Sequence, residues 1–358
     1  MKIFINGTGI AGGFGCGSNA LLNRLRTGAT CEPSSQDGYY PAFYADISSL
    51  YDFVPKKALR RIDHFSQLAL TGAYLALNDA GQDSFDKMAT GLILCSGYGS
   101  AKTTFSFLDS IIDSGDNCAS PTLFSNSVHN AAAGHISMML GIEGPCLTIS
   151  QFEMSVSSGL LSAIQWLCEE RVGQVLFGAV DEYFDVLGYC YKRWYGSNGN
   201  ISMSPLAAEI QSAVPGEGAA FFLLSRDKSA NCYGAVTSVN TGIVKDLKDN
   251  LSEDSFYILN ADGHIECDRY YSEIIPEGSL VSCYTPYYGS IPVGSAFDMV
   301  IAVISLREGR IFPAPVTVRR PDNYRFQGQD CTLNQENISC VKTGIKGEFS
   351  IITLSHTG

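Results

Sequence analysis

Three groups of residues are of types that could support chemistry. Ser155, Ser157 and Ser158 could supply a nucleophile, but no motif for a base accompanies them, which favours packing residues on a buried helix. Gly7-Thr8-Gly9-Ile10-Ala11-Gly12-Gly13 follows a short strand, as a dinucleotide-binding loop does, yet no acidic residue follows a second strand at the required distance. His264 lies in a loop without a recognisable partner, which favours a solvated side chain over one that turns into an active site. These groups alone predict no active site.

The twelve cysteines are scattered along the chain, and no two of them have the Cys-x-x-Cys spacing. We therefore expect neither a zinc site nor a disulfide framework, and no metal ion or cofactor. Several lie in apolar runs such as Leu92-Ile93-Leu94-Cys95, where cysteine acts as a small hydrophobic residue, and Cys146 and Cys283 are expected in the core. This usage indicates a reducing compartment.

The charge balance excludes some partners. Lys and Arg number 24 against 36 Asp and Glu, which gives a formal net charge of −12. A nucleic-acid-binding protein needs a positive face, and an anionic membrane surface attracts basic segments, so neither partner is expected. The first residues lack the features of a signal peptide, and no apolar run reaches the roughly 18 residues of a membrane helix. We therefore expect a cytoplasmic protein without membrane insertion.

Helix-like and strand-like segments alternate along the chain. Residues 62–77 have the apolar spacing of an amphipathic helix, and 91–95, 174–178 and 218–224 read as buried strands. From Tyr233 the pattern starts again, with strands at 235–240, 256–260 and 280–284, a helix at 297–307 and a strand at 349–354. This alternation predicts an α/β fold with two halves joined near residues 226–232. Asp181 and Glu182 follow a strand and are expected in a solvated turn.

Several segments resemble, in the same order, those of the β-ketoacyl-ACP synthases. They are Arg60-Arg61-Ile62-Asp63-His64-Phe65-Ser66-Gln67-Leu68-Ala69-Leu70, Asn130-Ala131-Ala132-Ala133-Gly134-His135, Gly144-Pro145, Gly178-Ala179-Val180-Asp181, Pro215-Gly216-Glu217-Gly218-Ala219, Leu259-Asn260-Ala261 and Gly344-Ile345-Lys346-Gly347. The resemblance covers nearly the whole chain. It implies a thiolase-like fold with two similar α/β halves in a five-layered arrangement, here residues 1–228 and 229–358.

The resemblance also locates the reacting positions. The family's nucleophile is a cysteine at the start of the helix after the Gly-Pro strand, and the family's spacing places Glu153 there. Two histidines decarboxylate malonyl-ACP and stabilise the enolate; Asp262 and Ser290 stand at their positions. A carboxylate cannot hold an acyl chain as a thioester does, and two carboxylates would repel malonate. Glu153 could also simply cap its helix.

A synthase-like chain without reacting groups is similar to the chain-length factors of type II polyketide systems, although glutamine is their usual replacement for the cysteine. Ser120-Pro121-Thr122-Leu123-Phe124-Ser125-Asn126-Ser127-Val128-His129-Asn130 resembles synthases of aryl-polyene clusters. The resemblance implies a non-catalytic subunit that forms a heterodimer with an active ketosynthase and shapes its acyl tunnel, while the acyl carrier protein docks on the partner. Two alternatives stay open: a decarboxylase or hydrolase that uses Glu153 as base, and a free acyl-binding protein.

The same resemblance predicts two surfaces. The strand near Cys146-Leu147-Thr148-Ile149 and the loop with Phe124, Asn126, His129 and Asn130 are expected at the subunit interface. The stretch after Ser96-Gly97 is expected to control chain length, through Thr104, Phe105, Leu108 and Ile112. Residues 105, 108 and 112 share one helical face, which could equally be ordinary core.

Overall fold

The computed structural model describes residues 2–35, 40–81, 85–195, 202–207, 209–247, 251–252, 255–327 and 330–357. Its strands are β1 (Ile3–Gly12), β2 (Gly15–Cys16), β3 (Thr90–Ser96), β4 (Cys146–Ser150), β5 (Gln174–Asp181), β6 (Gly218–Ser225), β7 (Gly234–Ile243), β8 (Phe256–Leu259), β9 (Leu280–Ser282), β10 (Arg310–Ile311), β11 (Arg325–Phe326), β12 (Cys331–Thr332), β13 (Asn337–Thr343) and β14 (Glu348–Ser355). Its helices are α1 (Ser18–Thr27), α2 (Leu50–Phe53), α3 (His64–Ala80), α4 (Ala101–Ser114), α5 (Pro121–Ser127), α6 (Ala131–Leu140), α7 (Ser155–Cys168), α8 (Asp185–Tyr195), α9 (Ile265–Asp268), α10 (Tyr271–Ile274) and α11 (Gly294–Glu308).

The N-terminal half of the sheet combines parallel strands at its outer end with antiparallel strands toward its centre. β3 lies between β5 and β4, and Leu92 is in register with both Leu176 and Cys146. Every residue of β3 is buried, as expected for a strand that is covered on both faces. Antiparallel β6 and β1 continue the sheet beyond β5. At the other end, β4 pairs only with β3 among the described strands, so its outer edge is open.

The two halves of the sheet meet at β1. Phe4 is in register with Ser225 of β6 on one side and with Ala235 of β7 on the other. From β7 the sheet continues through β14, β13, β8, β9 and β11, and β8 runs parallel to its neighbours β13 and β9. The connection from β6 to β7 contains the joint expected near 226–232. The division into two domains stays a prediction.

Helices form layers on and between the sheet halves. α3 and α6 pack on the outer face of the N-terminal half, around Phe65, Leu92 and Ile136. α7 and α11 lie between the halves and form the largest core cluster with residues from both. A third cluster, with Tyr257 and Tyr271, covers the outer face of the C-terminal half. Two sheet halves and three helical layers give the five layers that the resemblance implied.

Some boundaries differ from those expected. The helix expected at 62–77 is α3, which begins after Asp63 because the Asp63 carboxylate accepts a hydrogen bond from the Ser66 backbone N–H at 3.3 Å and so caps the helix. The strand expected at 280–284 ends at Ser282, since a 3-10 turn occupies residues 285–287. Cys283 is therefore buried but lies outside the strand, and Cys146 is exposed rather than in the core because it lies on edge strand β4.

Candidate functional site

A tight turn places Glu153 at the start of α7. β4 ends at Ser150, and Phe152 has a φ of 44°, a left-handed conformation that is unusual for a bulky residue. The Ser155 hydroxyl accepts from the Gln151 N–H at 2.7 Å and can donate to the Phe152 carbonyl at 2.8 Å, so it fixes the turn. Glu153 is half-buried there, next to the free N–H groups of the helix.

The centre of the site is a buried ion pair. Asp262 follows β8, Lys342 lies in β13, and Lys342 Nζ is 3.1 Å from Asp262 Oδ2. The two side chains are 6% and 1% exposed. Burial alone would raise the pKa of Asp262, but the Lys342 ammonium lowers it below its usual range. Burial alone would lower the pKa of Lys342, and the Asp262 carboxylate raises it instead. Both groups are therefore charged at neutral pH.

Ser290 connects this pair to a tyrosine. The Ser290 hydroxyl donates to Asp262 Oδ2 at 2.9 Å, and the Tyr191 hydroxyl donates to Ser290 Oγ at 3.2 Å. Tyr191 also lies 3.0 Å from His264 Nε2. Since the tyrosine proton is used toward Ser290, Nε2–H of His264 must donate to the tyrosine oxygen.

The other side of the His264 ring agrees with this tautomer. Gln211 Nε2 lies 3.0 Å from His264 Nδ1, and an amide nitrogen can only donate, so Nδ1 accepts. The Ile265 N–H donates to Gln211 Oε1 at 3.0 Å, which fixes the orientation of the amide. Tyr195 also approaches Nδ1 at 3.0 Å. Burial lowers the pKa of His264, which keeps the ring neutral.

The bonds form one directed series of donors, which we call the Gln211–Asp262 hydrogen-bond series. It runs from Gln211 through His264, Tyr191 and Ser290 to Asp262. The expectation of a solvated His264 is therefore wrong: its ring is held from both sides, because α8 and the segment around Gln211 fold over it. The series ends on a carboxylate that Lys342 already neutralises, so none of its members is left as a base.

Glu153 lies near the Asp262–Lys342 ion pair. Its carboxylate is close enough to raise the pKa values of Lys342 and His264 electrostatically, in each case as a smaller influence than Asp262. Around the ion pair the structure thus gathers the carboxyl groups of Glu153, Asp262 and Asp268, the Lys342 ammonium and the neutral His264 imidazole. The nearby Cys267 thiol stays protonated, because burial raises its pKa and the Asp262 and Glu153 carboxylates raise it further. Both ring nitrogens of His264 are already hydrogen-bonded.

Asp181 and Glu182 are buried, which contradicts the solvated turn expected for them. Asp181 accepts from the Ser96 hydroxyl at 2.6 Å and from the Gly97 and Tyr98 N–H groups at 3.0 Å, and so holds the loop between β3 and α4. Burial raises the pKa of Asp181 to about 6 and that of Glu182 to about 8. These carboxyls lie at the end of a central strand, where both faces are covered by helices.

Comparison with known proteins identifies the family. Residues 29–230, more than half of the chain, match the sequence profile described as "Beta-ketoacyl synthase, N-terminal domain". The chain belongs to the β-ketoacyl synthase family.

Individual family members are distant in sequence and close in fold. The chain is 22% identical to Nodulation protein E of Rhizobium sp. (strain N33), over 93% of this chain and 91% of that protein. It is 23% identical to 3-oxoacyl-[acyl-carrier-protein] synthase 2 of Rhizobium meliloti (strain 1021), over 65% of this chain and 61% of that protein. The ishigamide ketosynthase/chain length factor superposes with a TM-score of 0.81 at 16% identity, over 100% of this chain and 99% of the other. A β-ketoacyl synthase from Burkholderia phymatum STM815 gives 0.83 at 14% identity, with 100% of both chains covered. The thiolase-like α/β fold is thereby confirmed.

In this synthase-family fold, the three positions assigned to the reacting groups lie close to one buried ion pair. Ser290 and Asp262 are in direct contact, and Glu153 lies within electrostatic range of their neighbours. Their assignment to the family's cysteine and histidines stays a prediction. No group of three or more His, Cys, Asp or Glu side chains that could hold a metal ion occurs in the described ranges.

The residues expected to control chain length lie on α4. Thr104 is partly buried and donates to the Ser127 carbonyl at 3.2 Å. Phe105 stacks on Phe184 at 5.9 Å between ring centroids; Leu108 and Ile112 are exposed, Ile112 by 79%. In the isolated chain this face is surface, not ordinary core, which leaves it available to a partner.

An aromatic row connects α4 to the turn before Glu153. Phe105 contacts Phe184, Phe184 contacts Tyr98 at 5.9 Å, and Tyr98 contacts Phe152 at 6.2 Å. A continuous series of ring contacts therefore joins the face that is expected to control chain length to the turn before Glu153.

The expected interface residues are divided between surface and interior. Phe124 is exposed on α5, and Asn130 lines an open groove along β4. His129 is exposed and its ring covers Gly99. Asn126 is buried: its amide donates to the Arg61 carbonyl at 2.8 Å, so it supports α5 from within rather than meeting a partner.

Sequence reasoning missed Lys342, Tyr191 and Gln211. Lys342 is a lone cation within Cys340-Val341-Lys342-Thr343, an otherwise uncharged strand. A charged residue in a strand with both faces covered needs a counter-ion, and this signal could have indicated an ion pair.

Proposed function

We propose that this chain is a non-catalytic, chain-length-factor-like subunit that pairs with an active ketosynthase and shapes the acyl tunnel in aryl-polyene or polyketide chain elongation. One observation carries the proposal. Of the three positions matched to the family's reacting groups, Asp262 and Ser290 are committed to Lys342 and Tyr191, and the third holds the carboxylate of Glu153.

The chemistry of these residues supports inactivity. In the synthase family the acyl chain is held as a thioester on a cysteine, and Glu153 supplies only a carboxylate. Decarboxylation needs donors for the developing enolate oxygen, and Ser290 already directs its proton to Asp262. The Glu153 and Asp262 carboxylates would also repel the carboxylate of a malonyl group, since only Lys342 opposes them.

The surface supports pairing. The outer edge of β4 is open, and Met138 is exposed on α6, which packs on β4. Beyond α6, the helices α5 and α4 expose Phe124 and Ile112. Monomeric proteins rarely expose so many neighbouring apolar groups. A solved neighbour of the same fold is described as a type II PKS acyl-carrier protein in complex with its ketosynthase, with a TM-score of 0.81 at 14% identity over 99% of both chains. We propose that in this system, too, the carrier protein docks on the ketosynthase partner.

Co-expression tests the proposal. The chain is produced alone and together with each catalytically intact ketosynthase of its source organism, with the affinity tag on the ketosynthase. We expect a low soluble yield alone and a stoichiometric complex with one ketosynthase. Intact-mass analysis after incubation with acyl-ACP should find acylation of the ketosynthase and none of this chain.

Two variants control for the interface. Phe124→Asp places a charge beside the edge strand and should abolish co-purification. Val316→Asp makes the same type of change at a side chain that is 80% exposed in the C-terminal half, and should leave it intact. A monodisperse homodimer that ignores every ketosynthase, or acylation of this chain, would refute the proposal.

A further inference from the structure

One continuous face of the molecule combines exposed apolar groups with negative charge. We call it the edge face and define it by α4, α5, α6 and β4. α4 packs on α5, with Phe107 and Phe124 in contact at 5.4 Å between ring centroids. α5 packs on α6, and α6 packs on β4. An open groove of about 600 Å³ follows β4 between Met138 and Thr148, and Thr148 Oγ1 is buried there without a hydrogen-bond partner.

The charges of this face have one sign. Residues 101–150 contain Lys102 as their one Lys or Arg, against Asp109, Asp113, Asp116 and Glu143. Lys102 lies in the first turn of α4, and its charge acts on the buried Glu182 carboxyl. The three aspartates are exposed, and none of them is within ion-pair distance of a Lys or Arg in the described part of the chain.

The acidic and apolar groups are next to each other. On α4, Asp109 lies four residues after Phe105 and Asp113 four residues after Asp109, so the two aspartates form a row that borders the exposed stripe of Phe105, Leu108 and Ile112. Asp116 lies two residues beyond the end of α4. A partner surface that covers the stripe therefore approaches these aspartates. Their charges then lose water and need an opposite charge.

A second copy of this chain does not supply the opposite charge that the aspartates need. A twofold pair places the same patch of each subunit against the other, so an acidic face would meet an acidic face. Like charges brought together in an interface disfavour the wrong pair, even where the apolar groups fit.

We infer that the edge face selects against self-pairing and takes a ketosynthase subunit whose facing surface carries Lys or Arg opposite Asp109, Asp113 and Asp116. This inference rests on the proposed function, because it specifies the chemistry of the partner. The open edge of β4 supplies backbone pairing, the apolar stripe supplies affinity, and the aspartates decide between a second copy and the ketosynthase.

A triple variant tests the inference, because the two pairings should respond in opposite directions. Asp109→Asn/Asp113→Asn/Asp116→Asn should weaken the ketosynthase complex about tenfold at low salt, from three charge pairs of modest strength each. The same variant should strengthen self-association of the soluble chain expressed alone, by a similar factor. High salt should reproduce both effects in the unmodified chain, since exposed charges are screened.

The control variant is Glu273→Gln/Glu277→Gln/Asp322→Asn. It removes the same number of exposed carboxylates from the C-terminal half, and should change neither pairing. Complex formation is measured by titration and self-association by sedimentation velocity, each at about 20 mM and 500 mM salt. The inference is overturned if the unmodified chain is a dimer at low salt, or if both triple variants behave alike.

The experiments can refute the proposed function and the inference about the edge face independently of each other. A ketosynthase complex that is indifferent to salt and to the aspartates leaves the proposed function standing and removes the inference. If no ketosynthase binds, the proposed function fails. The sedimentation arm, carried out with the chain alone, then still decides whether the aspartates oppose self-pairing.

Discussion

Replacing Lys342 by methionine isolates the contribution of the buried ion pair. Methionine is similar in length to the lysine stem but carries no charge, so the change leaves Asp262 without its counter-ion while it largely keeps the packing. Lys342 Nζ and Asp262 Oδ2 are 3.1 Å apart with side chains 1% and 6% exposed, so water replaces little of the lost interaction. Removing one partner of such a pair costs about 3–5 kcal/mol of unfolding free energy. We expect Lys342→Met to fall in this range.

The loss should depend on pH. Without Lys342, Asp262 keeps the Ser290 donor but faces Asp268 and Glu153, so its pKa should rise above its ordinary value. A carboxyl whose folded pKa is raised loses stability as pH rises above the unfolded value. Lys342→Met should therefore be more destabilising at pH 8 than at pH 5.

The matched control is Lys346→Met, at an exposed lysine beyond the end of the same strand, which should change stability by less than about 0.5 kcal/mol. The double variant Lys342→Met/Asp262→Asn removes both charges and should be less destabilised than the sum of the two single variants. Urea unfolding of the chain in the form in which it purifies, followed by circular dichroism, measures all four. A loss below about 1 kcal/mol for Lys342→Met, or strict additivity, would refute the buried pair.

Three further predictions follow from the site and from α4. Phe105→Ala, in complex with the active partner, should lengthen the product, because the change removes side-chain volume from the face expected to close the tunnel. The mass of the product is the readout. Unchanged product lengths for Thr104, Phe105 and Leu108 variants in intact complexes would contradict this prediction. Glu153→Cys should not confer condensation from malonyl-ACP, assayed by release of carbon dioxide, because Asp262 and Ser290 stand at the expected histidine positions and both ring nitrogens of His264 are hydrogen-bonded. Activity above that of the parent would contradict it. Glu182→Gln should flatten the pH dependence of the unfolding free energy. Burial raises the Glu182 pKa from 4.5 to about 8. As pH rises through that interval, this carboxyl therefore lowers the unfolding free energy by up to about 1.4 kcal/mol per pH unit. Exposed Glu143→Gln is its control, and equal slopes in both variants would contradict the reasoning.

The elements were predictable where the pattern is periodic and local. The spacing of apolar residues predicts helix α3 and strand β3, and the family resemblance predicts the order of the layers. The end of β9 was not predictable from hydropathy, because Tyr284 continues the apolar run while the turn that contains Pro286 stops the pairing. The exposure of Cys146 was not predictable from the sequence either, since an edge strand and a central strand have similar composition.

For the candidate site, the sequence suggests positions but no contacts. Glu153, Asp262 and Ser290 are assigned from spacing within family motifs, and this assignment stays a prediction. The partners of Asp262 and Ser290, Lys342 and Tyr191, lie 80 and 99 residues away from them in sequence, and no local pattern links them. Asp181 and Glu182 were misjudged for a related reason: their charge suggested solvent, while the fold buries them at the end of β5.

The Gln211–Asp262 hydrogen-bond series has a consequence for which substitutions this protein can accept. Each donor in it points the same way and depends on the next acceptor, and Lys342 depends on the carboxylate at the end. A histidine introduced at position 262 would strand the Lys342 ammonium and deprive the Ser290 hydroxyl of its acceptor. Any single substitution in the series therefore leaves a buried donor or charge without its partner and costs stability in the folded state. Neighbouring members can change only together, so the network limits which sequences this site can accept.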